Sequence, residues 1–230
     1  MGPPARASML FLCLLLCVRV LGQNTIGLPQ IINYPKETYI AGTQNWDVRQ
    51  DKSGIMYFAN NEGLMSFDGS NWKINPLPNA TIVRSLEIGP ENRIYVGGQD
   101  EIGYFSPNSQ GNLVFSSLKT LIAEPDRSFA DVWDIVAFGK DLFFRSESRI
   151  FQLSAGRMSV YKNDHWRFLG RSNDRLVAES GNNKLLIFHN GIWEPFVKKS
   201  ALPEDFLVTS LVPLGKDSTL IVKERNLKVE

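Results

Sequence analysis

Cysteine is nearly missing from this sequence: the two present, Cys13 and Cys17, both lie within the first 22 residues. Downstream of them, disulfide staples, thiol catalysis and cysteine-zinc sites are excluded. Histidine is almost as scarce. His165 and His189 each lack a second His, Cys or carboxylate at ligand spacing on the same stretch, so no metal or other cofactor is expected. There is no serine nucleophile elbow, phosphate-cradling glycine loop or dinucleotide fingerprint. Gly97-Gly98 follows an apolar run, but no helix opens after it. No basic stripe is present either, which argues against nucleic-acid binding through this region. Without Arg6 and Arg19, 23 basic residues face 24 acidic ones. Long helical periodicity is absent as well, apart from a hint of one turn at Leu118–Ala123.

The N-terminus has its own character. Arg6 precedes an almost continuous apolar run from Met9 to Val18, and Val20-Leu21-Gly22 leads into Gln23. Residues 1–22 read as a secretory signal peptide cut near Gly22, leaving residues 23–230 as the mature domain. A retained membrane anchor is the competing reading, but the run is short for a bilayer core of about 30 Å and Arg19 interrupts its end. A lipoprotein is disfavoured because Leu15 and Leu16 stand before Cys17, where small residues are needed. A mature chain of this length can fold around a core without disulfides.

What the sequence does contain is a returning strand pair. Gly54–Trp72 holds two short apolar runs, Ile55–Ala59 and Leu64–Phe67, separated by Asn60-Asn61-Glu62-Gly63, and Asp68–Asn71 turns the chain again. Asn, Asp and Gly accept positive φ cheaply, so this is a meander of antiparallel strands. MYFANNEGLMSF from Met56 matches IYVGGQDEIGYF from Ile94, with Leu64 and Ile102, then Phe67 and Phe105, at equivalent places. LFFRSESRIFQL from Leu142 is a third copy; copies from Leu176 and Leu220 fit with one residue more and one fewer in the turn. An apolar run precedes each copy: Trp46–Val48, Val83–Ile88, Val132–Phe138, Trp166–Leu169 and Val208–Leu214. A further strand follows most copies, near Trp72, Leu113, Met158 and Trp193.

The copies start 38, 48, 34 and 44 residues apart, near the spacing of propeller blades. The expected fold is therefore all-β: a β-propeller of four-stranded antiparallel blades, with four blades and part of a fifth present. A two-sheet sandwich explains short alternating strands but not five copies of one register. Single blades cannot cover their own faces, so neighbours must stack. That gives Tyr57, Phe58, Phe143, Phe144 and Phe188 a place in the core between blades. A propeller must close or leave an edge, so residues 23–230 are expected to be an incomplete propeller, poorly soluble when expressed alone. A cooperative thermal transition of monomeric 23–230 would refute that. Gln23–Ala41 reads as an extended lead-in because Pro29 and Pro35 discourage helix.

Residues 43 to about 74 resemble a known family: the two-component-regulator propeller repeats of periplasmic sensors in Bacteroidetes regulators. The resemblance rests on Asp51, Gly54, Met56, Tyr57, Phe58, Ala59, Asn60, Gly63, Leu64, Phe67 and Asp68, and in the second copy on Ile94, Tyr95, Val96, Gly97 and Ile102. Copies three to five depart from the pattern. The resemblance implies a propeller of about seven blades in the complete protein. It also implies a non-catalytic sensor on the periplasmic side of the inner membrane that binds a small molecule or oligosaccharide. Signal transduction and transcription regulation would then run through a membrane segment and a LuxR-type helix-turn-helix or histidine-kinase module beyond residue 230. A homodimer of the full-length protein fits the same picture.

The enzyme alternative is a propeller glycosidase or polysaccharide lyase. Glycosidases need two carboxylates across the sugar, and Asp47, Asp131 and Asp134 stand near the starts of inner strands. Asp there more often fixes loops or pairs between blades. A protein-interaction propeller is the third reading. The expected ligand site is Thr43-Gln44-Asn45-Trp46, where amides and a hydroxyl flank an aromatic face suited to stacking on a sugar. The structural alternative is that Thr43, Gln44 and Asn45 brace the start of the blade while Trp46 packs in the core.

Overall fold

The computed structural model describes residues 27, 31–181, 184–198 and 206–224, so the signal-peptide reading of residues 1–22 lies outside it. Four sheets of four strands follow one another, each antiparallel and ordered as in the sequence. The first blade holds β1 (Asn45–Gln50), β2 (Met56–Asn60), β3 (Gly63–Phe67) and β4 (Trp72–Asn75). The second holds β5 (Val83–Ile88), β6 (Ile94–Gly98), β7 (Glu101–Pro107) and β8 (Leu113–Ser117). The third holds β9 (Val132–Phe138), β10 (Asp141–Ser146), β11 (Arg149–Ser154) and β12 (Arg157–Lys162). The fourth holds β13 (Trp166–Ser172), β14 (Arg175–Ser180), β15 (Lys184–His189) and β16 (Ile192–Pro195), and a fifth sheet pairs β17 (Leu207–Leu214) with β18 (Ser218–Glu224). Among the described residues, the five sheets do not close into a ring.

The repeated motif is the central hairpin of each blade. Its equivalent positions pair as the copies require: Met56 with Phe67, Ile94 with Phe105 and Leu142 with Leu153. Two residues turn the chain between Asn60 and Gly63 and between Gly98 and Glu101, and in the fourth copy Ser180 pairs with Lys184. Gly63 sits at φ +129°, where a Cβ would come within 2.5 Å of the Asn75 carbonyl oxygen, so no other residue fits there without moving the outer strand.

The core is a series of layers between blades rather than one centre. Tyr57, Ala59 and Leu64 pack against Leu86, Val96 and Phe105; Phe143 and Ile150 pack against Trp166, Leu176 and Ala178. Between the second and third blades, Ile122 and Phe129 from the longer connection join Tyr95, Phe144 and Phe151. That connection carries two short 3-10 turns, Lys119–Leu121, inside the Leu118–Ala123 stretch where the sequence hinted at helix, and Glu124–Asp126 just after it. Each large side chain taken out of water contributes about 1.5–3 kcal/mol. Of the five aromatics expected between blades, Tyr57, Phe143 and Phe144 are buried; Phe58 and Phe188 keep part of their surface in solvent while packing on Trp72 and Phe143.

The lead-in differs from expectation. Lys36–Tyr39 forms one helical turn, closed by the Ile40 amide on the Lys36 carbonyl, and residues 31–35 form neither helix nor strand. Pro35 sits just before that turn, where its missing N–H costs nothing.

Candidate functional site

The innermost strands β1, β5, β9, β13 and β17 line a central cleft of 360 Å³. Each carries the same irregularity near its start. The ladder skips one residue between Asn45 and Asp47, between Val83 and Ser85, between Val132 and Asp134, between Trp166 and Phe168, and between Val208 and Ser210. The extra residues are Trp46, Arg84, Trp133, Arg167 and Thr209. A bulge of this kind re-aims its side chain away from the alternation of the strand.

In the first three blades the re-aimed side chains meet. The Arg84 guanidinium carbon lies 4.0 Å from the centre of the Trp46 ring and 4.8 Å from that of Trp133. The two indoles stand edge to face, with centroids 6.0 Å apart. Asp131, on the connection into the third blade, pairs with Arg84 at 3.3 Å. Trp46 Nε1 donates to Asn61 Oδ1 at 2.7 Å, which fixes the ring. Trp46 remains 38% exposed and Trp133 39%.

The four residues expected to bind ligand are all exposed on this side of the first blade, and Trp46 is not a core residue. They differ in how committed they are. The Asn60 side chain donates to the Gly42 and Gln44 carbonyls and to Asn45 Oδ1, and accepts from the Gly42 and Glu62 amides. Asn45 is thus partly spent on structure, whereas Thr43, Gln44 and the Trp46 ring face solvent.

The three aspartates are engaged in structure. Asp47 pairs with Arg49 and its Oδ2 accepts from the Leu86 amide of the next blade at 3.3 Å. Asp134 pairs with the buried Arg145 and accepts from Leu169 N at 3.1 Å. Ser85 donates to the Val132 carbonyl at 2.7 Å, and Glu179 accepts from Val208 N at 2.8 Å. Each of the first four blades therefore sends at least one polar side chain to the inner strand of the next, satisfying backbone groups that no ladder reaches. Within the cleft, burial pushes the carboxyls of Asp47 and Glu87 up, and the Arg49 guanidinium beside both pulls them back. Arg171 reaches the Ala137 carbonyl at 3.2 Å. His165 pairs with Glu147 at 3.0 Å on the surface, and among the described residues no three His, Cys, Asp or Glu side chains gather where a metal could bind.

Arg84 and Trp133 escaped the sequence reading. A signal was present: Trp46 and Arg84 each stand ten residues before their hairpin copy, and Trp133 and Arg167 nine.

The chain matches no family model and no curated protein sequence. Among solved structures it is similar to the extracellular domain of a hybrid two-component system from B. thetaiotaomicron, at 18% identity and a TM-score of 0.59 over 80% of this chain and 26% of that one. It is also similar to virginiamycin B lyase from Staphylococcus aureus solved with quinupristin, at 15% identity and a TM-score of 0.65 over 87% of this chain and 69% of that one. The chain has a β-propeller fold. At such identities the similarity carries architecture and not chemistry. The propeller spans about a quarter of that extracellular domain's length and about two thirds of the lyase's. Among the described residues of the propeller, no helix is long and apolar enough to cross a membrane.

Proposed function

We propose that this propeller is part of the extracytoplasmic, ligand-sensing region of a transmembrane signalling protein, and that its ligand is a glycan or glycan fragment. The observation that carries the reading is the Trp46–Arg84–Trp133 stack, which holds two indoles half in solvent at the rim of the central cleft. The shared fold with the extracellular domain of a hybrid two-component system supports it. So does the leader-like stretch at residues 1–22, which would place the domain on the periplasmic side of the inner membrane. On this reading the chain binds without catalysis, the output module lies elsewhere, and dimerisation belongs to the longer protein. Thr43 and Gln44 would add hydrogen bonds beside Trp46.

The second reading is a lyase, favoured by the similarity to virginiamycin B lyase. Incubating the purified full-length domain with plant and host glycans separates the two. The sensor reading expects a rise in melting temperature and quenched tryptophan fluorescence with no new reducing ends or unsaturated products. Product release would establish an enzyme instead, and no response to any glycan would refute glycan sensing.

A further inference from the structure

The rim and the cleft behind it have a feature that narrows the ligand: their charges are matched within the protein. Arg84 is paired with Asp131 at 3.3 Å, and Asp134 with Arg145. Arg49 pairs with Asp47 and lies 4.0 Å from Glu87, whose carboxyl also feels Arg171. The charge of Arg167 in turn acts on the carboxyl of the buried Glu179. Taking an anionic ligand here would require a cation to leave its protein partner, which costs about as much as the new pair returns.

The two indoles supply the complementary half. A fixed aromatic plane, exposed on one side, matches the C–H face of a pyranose, and holding it fixed before binding lowers the ordering cost of association. Asn61 holds Trp46 through its ring nitrogen, and Arg84 fills the space between the rings. Around them lie hydroxyl and amide groups, with Thr43, Gln44 and Asn45 exposed on one flank. A protein partner would need a wider apolar patch than two indoles bordered by polar groups.

We propose that Trp46 and Trp133 form a stacking platform for a neutral oligosaccharide, positioned by Arg84, and that the site discriminates against uronic and sulfated sugars. The proposal rests on the glycan-sensing reading and adds the site and the charge class to it.

The test is calorimetry on the purified full-length domain, which contains the complete propeller, with a panel of probes. Neutral hexasaccharides of glucose, mannose, xylose, arabinose and galactose are set against oligogalacturonides and sulfated chondroitin oligosaccharides, at about 50 mM and about 500 mM salt. At least one neutral probe is expected to bind with an affinity that salt leaves unchanged. Trp46→Ala and Trp133→Ala should each weaken it about tenfold. Trp46→Phe and Trp133→Phe, which keep a ring, should recover most of the loss while all variants melt within a few degrees of the parent. Arg84→Met, which frees the indoles and leaves Asp131 unpaired, should weaken binding with the rings intact. Binding confined to the acidic probes and lost at high salt would overturn the neutral class and leave glycan sensing standing. Neutral binding untouched by both alanine variants would overturn the platform but not the sensing. Binding of no probe would overturn both.

Discussion

Asn60 Nδ2 donates to Asn45 Oδ1 across 2.8 Å, from a side chain with no exposed surface. The same amide serves the carbonyls of Gly42 and Gln44 at 2.7 and 3.2 Å, and its oxygen accepts from the Gly42 amide at 3.1 Å. One residue at the end of β2 therefore shapes the run that leads to Trp46. Asn60→Ala leaves several of these half-buried groups without partners and should destabilise the fold by about 1–3 kcal/mol. Asn60→Asp keeps the acceptor but turns a carboxylate toward two carbonyls and an amide oxygen, so it should cost at least as much. Urea unfolding of the three proteins gives the order; an Asp variant as stable as the parent would refute the assignment of donors and acceptor.

Arg145 makes a comparable connection deeper in the fold. It pairs with Asp134 and donates from Nη1 to the Trp166 carbonyl at 2.8 Å, linking the third blade to the fourth. Arg145→Met strands a carboxylate and a carbonyl, and should cost about 3–5 kcal/mol. The double variant with Asp134→Asn removes the stranded charge and should be more stable than Arg145→Met alone. A double-mutant cycle by urea unfolding measures that coupling, and simple additivity would show that the pair contributes nothing jointly.

The blades were legible in the sequence because they rest on a local signal. An aliphatic–aromatic run, a two-residue turn and a second run recur, and Met56, Ile94 and Leu142 all take the places that the repeat assigns. The site was legible in part. Trp46 stood out as an aromatic beside amides, but Arg84 and Trp133 are 38 and 87 residues further on, and only the curvature of three blades brings them to it. The bulges that aim them involve one skipped pairing each, and a skipped pairing leaves no mark on composition or alternation. Asp47 and Asp134 were visible as inner-strand carboxylates, yet their bonds to Leu86 and Leu169 depend on how neighbouring blades dock.

Gly97 shows how tight that docking is. A Cβ there would lie 2.4 Å from Val132 Cγ1 and 2.7 Å from Ser85 Oγ, both facing it at the contact of the second and third blades. Gly97→Ala should therefore destabilise by about 1–3 kcal/mol through overpacking. Val132→Ala on its own removes buried volume and should also destabilise. Combined, the new methyl loses its tightest contact but still meets the Val132 Cβ at 2.7 Å, so the double variant should be more stable than the sum of the single effects predicts without regaining the parent's stability. Chemical unfolding of all four proteins tests this, and losses that merely add would place the strain elsewhere.

Glu179 gives the fold a pH dependence whose sign can be worked out. It has no exposed surface, its Oε2 accepts from Val208 N and its Oε1 has no hydrogen-bond partner. Burial pushes its carboxyl above the ordinary glutamate value of 4.5, against the pull of the Val208 amide and of Arg167, Arg145 and His165. Between 4.5 and the raised value, the folded chain holds more protons than the unfolded one, so stability falls as pH rises through that window. Below the window both states are protonated and the penalty is absent; above it both are ionised and the penalty is complete. Asp126 acts in the opposite sense, because Lys162 and Arg149 hold its carboxyl down and its contribution is lost only in stronger acid. The test must therefore compare proteins rather than follow one curve. The stability of the parent relative to Glu179→Gln should decline as pH is raised from about 4.5 toward neutrality, because glutamine has no proton to lose. Urea midpoints converted to free energies at each pH give that difference. Parallel curves for the two proteins would mean that the folded and unfolded states bind this proton equally.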